Sequence, residues 1–277
     1  MRNLNLFRLL SRLFLITWCS ITVFTLIWIF ISSLKTNNEF FSRMWGLFKV
    51  PQIENYTKIW NTYNLSGSFL NSIIVVGVSI IVIGIIAAPA SYVLARISFI
   101  ARNTLNKYFI LGMGVPYQLL LVPLYFQLFA LKLINSIFGL ILVYTVLSLP
   151  FTIFVMTGFF RSLPKELEES AYIDGCSPMR AFFDIMLPLG QAGIITTAIC
   201  NFVSLWNEFL FALVLLNSDK KFTLSIRLYG LQASMNHLGD WASLFAGFVI
   251  VIIPTLVIYL FLSRRLIEGI TLGSVKE

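Results

Sequence analysis

Apolar residues run almost unbroken through six stretches of this chain. They are roughly Leu13 to Ser33, Phe69 to Ala95, Tyr108 to Ala130, Ile137 to Phe160, Ala192 to Leu216 and Ser243 to Ser263. Each is about 20 residues or more, the length a helix needs to cross bilayer hydrocarbon. The pattern predicts an all-α integral membrane protein with six transmembrane helices. One segment between the fourth and fifth stretches has the opposite character: Glu166 to Pro188, ELEESAYIDGCSPMRAFFDIMLP. It reads as two short helices joined by a turn. Glu166, Glu168 and Glu169 crowd the first turns, where the helix dipole favours negative charge. Asp174-Gly175 is a turn signal, because glycine takes a positive φ at no steric cost. Ser177 offers an N-cap oxygen and Pro178 fits the first helical position. Met179, Phe182, Phe183 and Met186 then recur along one helix face, and Leu187-Pro188 ends the piece. On periodicity alone this hook has two readings, an interfacial helix on lipid headgroups or an apolar face shown to another molecule.

Polar interruptions within the stretches mark further positions. The second stretch carries Gly77, Gly84, Ala87, Ala88, Ala90, Ser91 and Ala95, small residues that let helices approach closely in lipid. Pro116 and Pro123 predict a kinked or locally unwound third span, with Gln118 and Gln127 beside them. These glutamines suit either hydrogen bonds between helices or a lining for a hydroxyl-rich solute. The fifth stretch holds Glu208, the sole acid deep in an apolar span, within the run Asn201 to Glu208. A carboxylate there must face protein, water or a partner. Three roles are open to it: a hydrogen-bond anchor, a lining group of a solute path, or a proton site. Trp206 is either a core side chain or a stacking surface for a sugar ring. The loop from 34 to 68, with Trp45, Tyr56, Trp60 and Tyr63, is an interfacial aromatic belt or a surface for an outside partner.

Composition supports the membrane reading. Of 277 residues, 58% are hydrophobic and 12% charged, against about 25% charged in soluble domains. The formal net charge of +8 reflects basic residues in short loops beside apolar spans, and no nucleic-acid motif accompanies it. If both termini are cytoplasmic, twelve of the twenty basic residues fall in inner segments, as the positive-inside rule favours. Cys19, Cys176 and Cys200 form no CxxC or Cys/His cluster, so neither a disulfide framework nor a metal site is expected. Arg2, Arg8 and Arg12 precede a first apolar run too long for a signal peptide, so it reads as a retained span. No GxxxxGK[ST], HExxH or GxSxG occurs, and the lone His237 lies in a polar loop. The chain reads as a non-enzyme.

Several stretches together resemble one family. Glu169-Ser170-Ala171, then Gly175 after three residues, then Ile185 and Leu187-Pro188 after nine more, are similar to the EAA loop of ATP-binding-cassette importer permeases, with serine in the middle position. The runs SYVLAR at Ser91 to Arg96, LKLINSIFGLIL at Leu131 to Leu142, TLSI at Thr223 to Ile226 and WNEF at Trp206 to Phe209 resemble carbohydrate-importer permeases. The ending EGITLGSVKE is similar to that of the smaller permease subunit of maltose-type importers. The resemblance covers nearly all of the chain after Phe69.

It implies a type I ABC importer permease fold with a cytoplasmic EAA coupling-helix loop. The chain would be a single transmembrane permease domain, 1–277, made of a first span plus outer loop (1–68), a five-span core (69–263) and a cytoplasmic tail (264–277). It would sit in the cell membrane of a prokaryote with both termini inside. Implied partners are a second permease subunit, two ATPase subunits, an extracytoplasmic solute-binding protein and a sugar, within the lipid bilayer. ATP and Mg would be held by the ATPase and no cofactor by this chain. The residues implied in ATPase coupling are Glu169, Ser170, Ala171, Asp174, Gly175, Ile185, Leu187 and Pro188. Candidates for the translocation path are Gln118, Gln127, Asn201, Trp206, Asn207 and Glu208. The alternative is a secondary transporter driven by an ion gradient through Glu208.

Overall fold

The structure is a computed structural model that describes the backbone of residues 2–274 and the side chains of residues 8–233 and 239–261. The side chains of His237 and of the tail Glu268 to Glu277 lie outside the described residues. All described regular structure is helical, in the order α1 (Arg2–Ser33), α2 (Asn37–Ser42), α3 (Glu54–Thr62), α4 (Leu65–Arg96), α5 (Arg102–Met113), α6 (Leu121–Ala130), α7 (Ile137–Ser162), α8 (Glu166–Ile173), α9 (Pro178–Ala181), α10 (Leu187–Leu189), α11 (Gln191–Trp206), α12 (Leu210–Leu215), α13 (Leu224–Leu238) and α14 (Trp241–Ser274). Among the described residues four helices are long and apolar enough to cross a membrane: Arg8–Ser33, Leu65–Arg96, Ile137–Ser162 and Trp241–Phe261. Two bent pairs bring the number to six if each pair is one span.

The third expected span bends by 94° between Arg102–Met113 and Tyr117–Ala130. Pro116 stands at the break, where its missing N–H cannot continue the helix, and a 3₁₀ turn over Tyr117–Leu120 follows. Pro123 is accommodated in the first turn of α6. The fifth expected span, Ala192 to Leu216, is not one helix. It stops at Trp206 and restarts at Leu210, while its N-terminal end meets the hook at a 67° bend. Asn207 contributes to the stop, because its Nδ2 donates back to the Val203 carbonyl at 2.7 Å.

The helices group into two compact units, Met1–Ser66 with Arg227–Pro254, and Gly67–Ile226 with Thr255–Glu277. In the first unit α1 keeps most of its apolar surface open, with Phe14, Ile16 and Trp18 all exposed. A helix apolar on every side and packed on so little suits lipid contact. Its C-terminal half carries an aromatic cluster: Trp45 lies 5.9 Å from Phe24 and 5.4 Å from Trp28, whose Nε1 donates to the Met44 carbonyl. Beneath it Lys35 is fully buried. Its Nζ donates to the Arg43 and Met44 carbonyls at 3.1 and 2.8 Å, and burial pushes its pKa down against the opposing pull of Glu39. Asp240 starts α14 by accepting from the Ser243 N–H. It also accepts from Lys58 Nζ at 2.5 Å and from Asn37 Nδ2 at 3.0 Å.

In the second unit α7 is the central helix, packed against α5, α11 and α12. It buries Leu140, Tyr144, Met156 and Phe160. The start of α11 lies so close that a Cβ on Gly193 would stand 2.7 Å from the Phe159 ring. Small residues on α4 are used unequally. Ala87, Ala88, Ser91 and Ala95 are buried, but Gly77 and Gly84 have nothing within 4 Å of a would-be Cβ, so they do not serve packing inside this chain.

Two outcomes follow from this packing. Gly193→Val should lower stability by about 1–3 kcal/mol through overpacking, whereas Gly158→Val, with open space at its Cβ position, should leave detergent thermal unfolding near wild type. The second concerns pH. Burial opposes ionisation of Asp240, but its hydrogen bonds from Lys58, Asn37 and Ser243 outweigh it and hold its pKa down. The hydrogen bond that Lys58 donates to Asp240, over a smaller burial penalty, raises the pKa of Lys58. The stability Asp240 contributes is therefore present above the ordinary aspartate pKa of about 4 and lost as pH falls through its depressed value. The Lys58 contribution is present below about pH 10.4 and lost as pH rises through its raised value. Asp240→Asn should flatten the acid limb of hydrogen-exchange protection around α3, and an unchanged limb would contradict the assignment.

Candidate coupling hook and polar cavity

The hook folds as two pieces. Three carboxylates occupy the first turn of α8, as the dipole favours. Its C-terminus closes with the Gly175 N–H on the Tyr172 carbonyl and the Cys176 N–H on the Ala171 carbonyl at 2.9 Å, with Gly175 at φ 79°. That is the left-handed helix stop glycine permits. Ser177 caps α9, its side chain accepting from the Arg180 N–H, and Pro178 takes the first position. The second piece then departs from the expected single face. Phe182–Met186 widens into a π-turn in which the Leu187 N–H reaches the Phe182 carbonyl. Pro188 supplies the reason: it offers no N–H, and its ring would crowd the carbonyl four residues back in a regular helix. The wider turn sends Phe182 and Met186 into the core and leaves Met179 and Phe183 outside. Leu187-Pro188 does not end the piece, which runs on to a stop at Gly190.

Of the EAA-like residues, Ala171 is buried, Ile185 and Leu187 are half-buried, and Glu169, Ser170, Asp174, Gly175 and Pro188 are exposed. Leu167, Ile173, Met179 and Phe183 add apolar side chains to this open surface, Ile173 at 85% exposure. At its base the chain is tied to α4. Arg96 Nε stands 3.1 Å from Glu168 Oε2, both side chains being nearly buried. Arg102 donates to the Leu94 and Ala95 carbonyls at the end of α4, where cations complement the dipole.

A second feature is a cavity of about 630 Å³ whose mainly apolar lining also carries Gln118, Tyr144, Ser148, Asn201, Ser204, Asn207 and Glu208. It lies where α11 breaks before α12. Glu208 makes the break possible. Its Oε1 accepts from the Phe211 N–H at 2.8 Å, and its Oε2 accepts from the Ala212 N–H at 3.2 Å and the Tyr144 hydroxyl at 2.5 Å. Donors at the start of a helix otherwise lack partners. Asn201 Nδ2 donates to Thr152 Oγ1 at 2.9 Å, so it is shared between wall and core. Two sequence candidates fall elsewhere. Trp206 is buried between Phe69 and Phe202 at 5.8 and 5.3 Å. Gln127 is exposed on α6, away from this lining. Among the described residues no cluster of His, Cys, Asp or Glu could hold a metal ion.

Residues 80–270 match the family described as binding-protein-dependent transport system inner membrane component. The chain belongs to that family. It is therefore a multi-pass component of a cell membrane transport system. It is 36% identical over 270 residues to the diacetylchitobiose uptake system permease protein NgcG of Streptomyces coelicolor, covering 98% of this chain and 89% of the relative. It is 34% identical over 255 residues to the sulfoquinovosyl glycerol transport system permease protein SmoH of Agrobacterium fabrum, covering 92% and 89%. The fold is shared with a crystal structure of a bacterial ABC transporter involved in the import of the acidic polysaccharide alginate. That match has a TM-score of 0.80 at 19% identity, covering 95% of this chain and 98% of the other.

Within this inner membrane component, several residues make ordering contacts that the sequence did not indicate. Asn135, at φ 55°, receives the Asn217 and Ser218 N–H groups on its side chain and Lys221 Nζ on its carbonyl. Asn71 donates to the Lys220 and Phe222 carbonyls, and Ser72 accepts from the Leu224 N–H at 2.8 Å. Together they clasp the turn after α12. Tyr144 was missed as well, since an apolar run with one tyrosine carries no sign of an acid 64 residues away. Glu208→Ala should strand two backbone donors and a phenol, at about 1–3 kcal/mol for each buried group left unpaired. Glu208→Gln keeps one of the two acceptor oxygens and should retain more transport in whole cells than Glu208→Ala. Complete loss in the glutamine variant alone would point instead to a proton-carrying role.

Proposed function

We propose that this chain is one permease half of an ATP-driven, binding-protein-dependent sugar importer whose substrate is an oligosaccharide or glycoside. A second permease would complete the pore, two ATPase subunits would dock on the cytoplasmic side, and a solute-binding protein would deliver the sugar from outside. Both termini and the hook would then be cytoplasmic. Support for the sugar comes from relatives named for diacetylchitobiose and sulfoquinovosyl glycerol transport and from the amide, hydroxyl and carboxylate groups around the 630 Å³ cavity. A cavity of that size is within the range that holds small ligands, about 300–1,000 Å³. Both Glu208 oxygens accept from protein donors, which supports a structural role for this acid over the ion-gradient alternative.

The observation that carries the coupling role is the exposed two-piece hook turning at Gly175. In this reading α8 enters a cleft of the ATPase, and closure of the ATPase dimer on ATP draws the hooks together. The spans then rock from inward-open to outward-open. The joint must hold its angle under load, and a left-handed glycine followed by a capped helix provides that.

Gly175→Val places a β-branched residue at φ 79°, at a cost of about 1–3 kcal/mol of local strain. It should reach the membrane in normal amount. Transport per ATP hydrolysed, measured in proteoliposomes with the full complex, should fall about tenfold or more. Wild-type stoichiometry in this variant would falsify the role of the hook.

A further inference from the structure

We propose that Arg96, at the last turn of α4, is the positioning residue that links hook movement to the spans, acting through Glu168. This inference rests on the coupling role proposed for the hook. One guanidinium joins three elements: Nε faces Glu168 of α8 at 3.1 Å, and Nη2 donates to the Leu163 carbonyl at the end of α7 at 2.5 Å. One turn earlier on α4, Tyr92 extends the link. It is buried, and its ring lies 5.0 Å from Phe182 in the second piece of the hook. The two side chains from the end of α4 therefore grip both halves of the hook, and α8 cannot turn without displacing the ends of α4 and α7.

The chemistry of the contact fits a positioning device better than a stabilising one. A buried ion pair adds little net stability, because desolvation offsets attraction, yet loss of one partner is severe. The Arg96 Nε also lacks an acceptor in line with its N–H, although the carboxylate is beside it. Direction and registry, rather than bond strength, are what such a pair supplies. Glu168 is moreover the one carboxylate of α8 that is withdrawn from the surface, while Glu166 and Glu169 stay exposed. A partner on the open face of the hook therefore meets those two and leaves Glu168 to Arg96.

The test uses the assembled transporter in proteoliposomes and reads transport per ATP hydrolysed, normalised to the amount of complex. Arg96→Glu and Glu168→Arg should each lower that ratio about tenfold. The double variant, with the charges exchanged, should recover most of it. Arg96→Lys, which keeps the charge, and Glu168→Gln, which keeps the shape, serve where reversal prevents assembly. The lysine variant should then couple better than the glutamine variant. Wild-type ratios in the single variants, or a double variant no better than either single, would overturn the proposal. So would a loss confined to the amount of complex, with the ratio unchanged. Gly175→Val separates the two claims. If it uncouples while the Arg96 and Glu168 variants remain normal, only the present inference fails. If it couples normally, the hook reading itself fails.

Discussion

In hydrocarbon no water is available to a broken helix, so every unpaired backbone N–H or C=O must find a partner within the protein. Several irregular places in this chain are built around a side chain that meets that demand. Glu208 supplies acceptors to the Phe211 and Ala212 N–H groups where α11 gives way to α12. Arg102 supplies donors to the last carbonyls of α4. Lys35 does the same for the Arg43 and Met44 carbonyls and Asn71 for those of Lys220 and Phe222, while the Asn135 side chain supplies an acceptor to the Asn217 and Ser218 N–H groups. The polar residues of this apolar chain are largely substitutes for backbone partners.

The working surfaces follow from that constraint. A helix that must break beside Glu208 leaves a gap beside α7, and the groups that satisfy the break also face the gap. One carboxylate thus serves as helix cap, partner of Tyr144 and cavity wall. The hook obeys the same logic at the other end of these helices. Pro188 widens the preceding turn, the wider turn drives Phe182 and Met186 inward, and Phe182 meets Tyr92 of α4. The proline thereby joins the second piece of the hook to the same helix end that Arg96 joins to the first.

Much of the hook was legible in order along the chain. Gly175, Ser177 and Pro178 act through their immediate neighbours, and their turn, cap and first-position roles appear where local rules put them. The π-turn was not legible as such, although Pro188 signals it, because periodicity counted 3.6 residues per turn across a place that uses more. Asn201 and Glu208 were legible as polar residues in apolar surroundings. Their partners were not, since Thr152 and Tyr144 come from α7, far away in sequence. Trp206 shows the converse: its type suits a sugar platform, but its neighbours Phe69 and Phe202 bury it.

By itself the sequence determined what depends on short range and on solvent: helical spans of membrane length, the polar hook, its turn and cap, and the break at Pro116. Tertiary structure decided which polar groups meet. It placed Glu208 on Tyr144, Arg96 between Glu168 and Leu163, and Asn135 under the turn after α12. The physical reason is that apolar periodicity specifies a face but not the neighbour that covers it, and lipid covers an apolar face as readily as protein does. Polar pairing within the membrane therefore sets helix registry, and it is fixed only when the helices have packed.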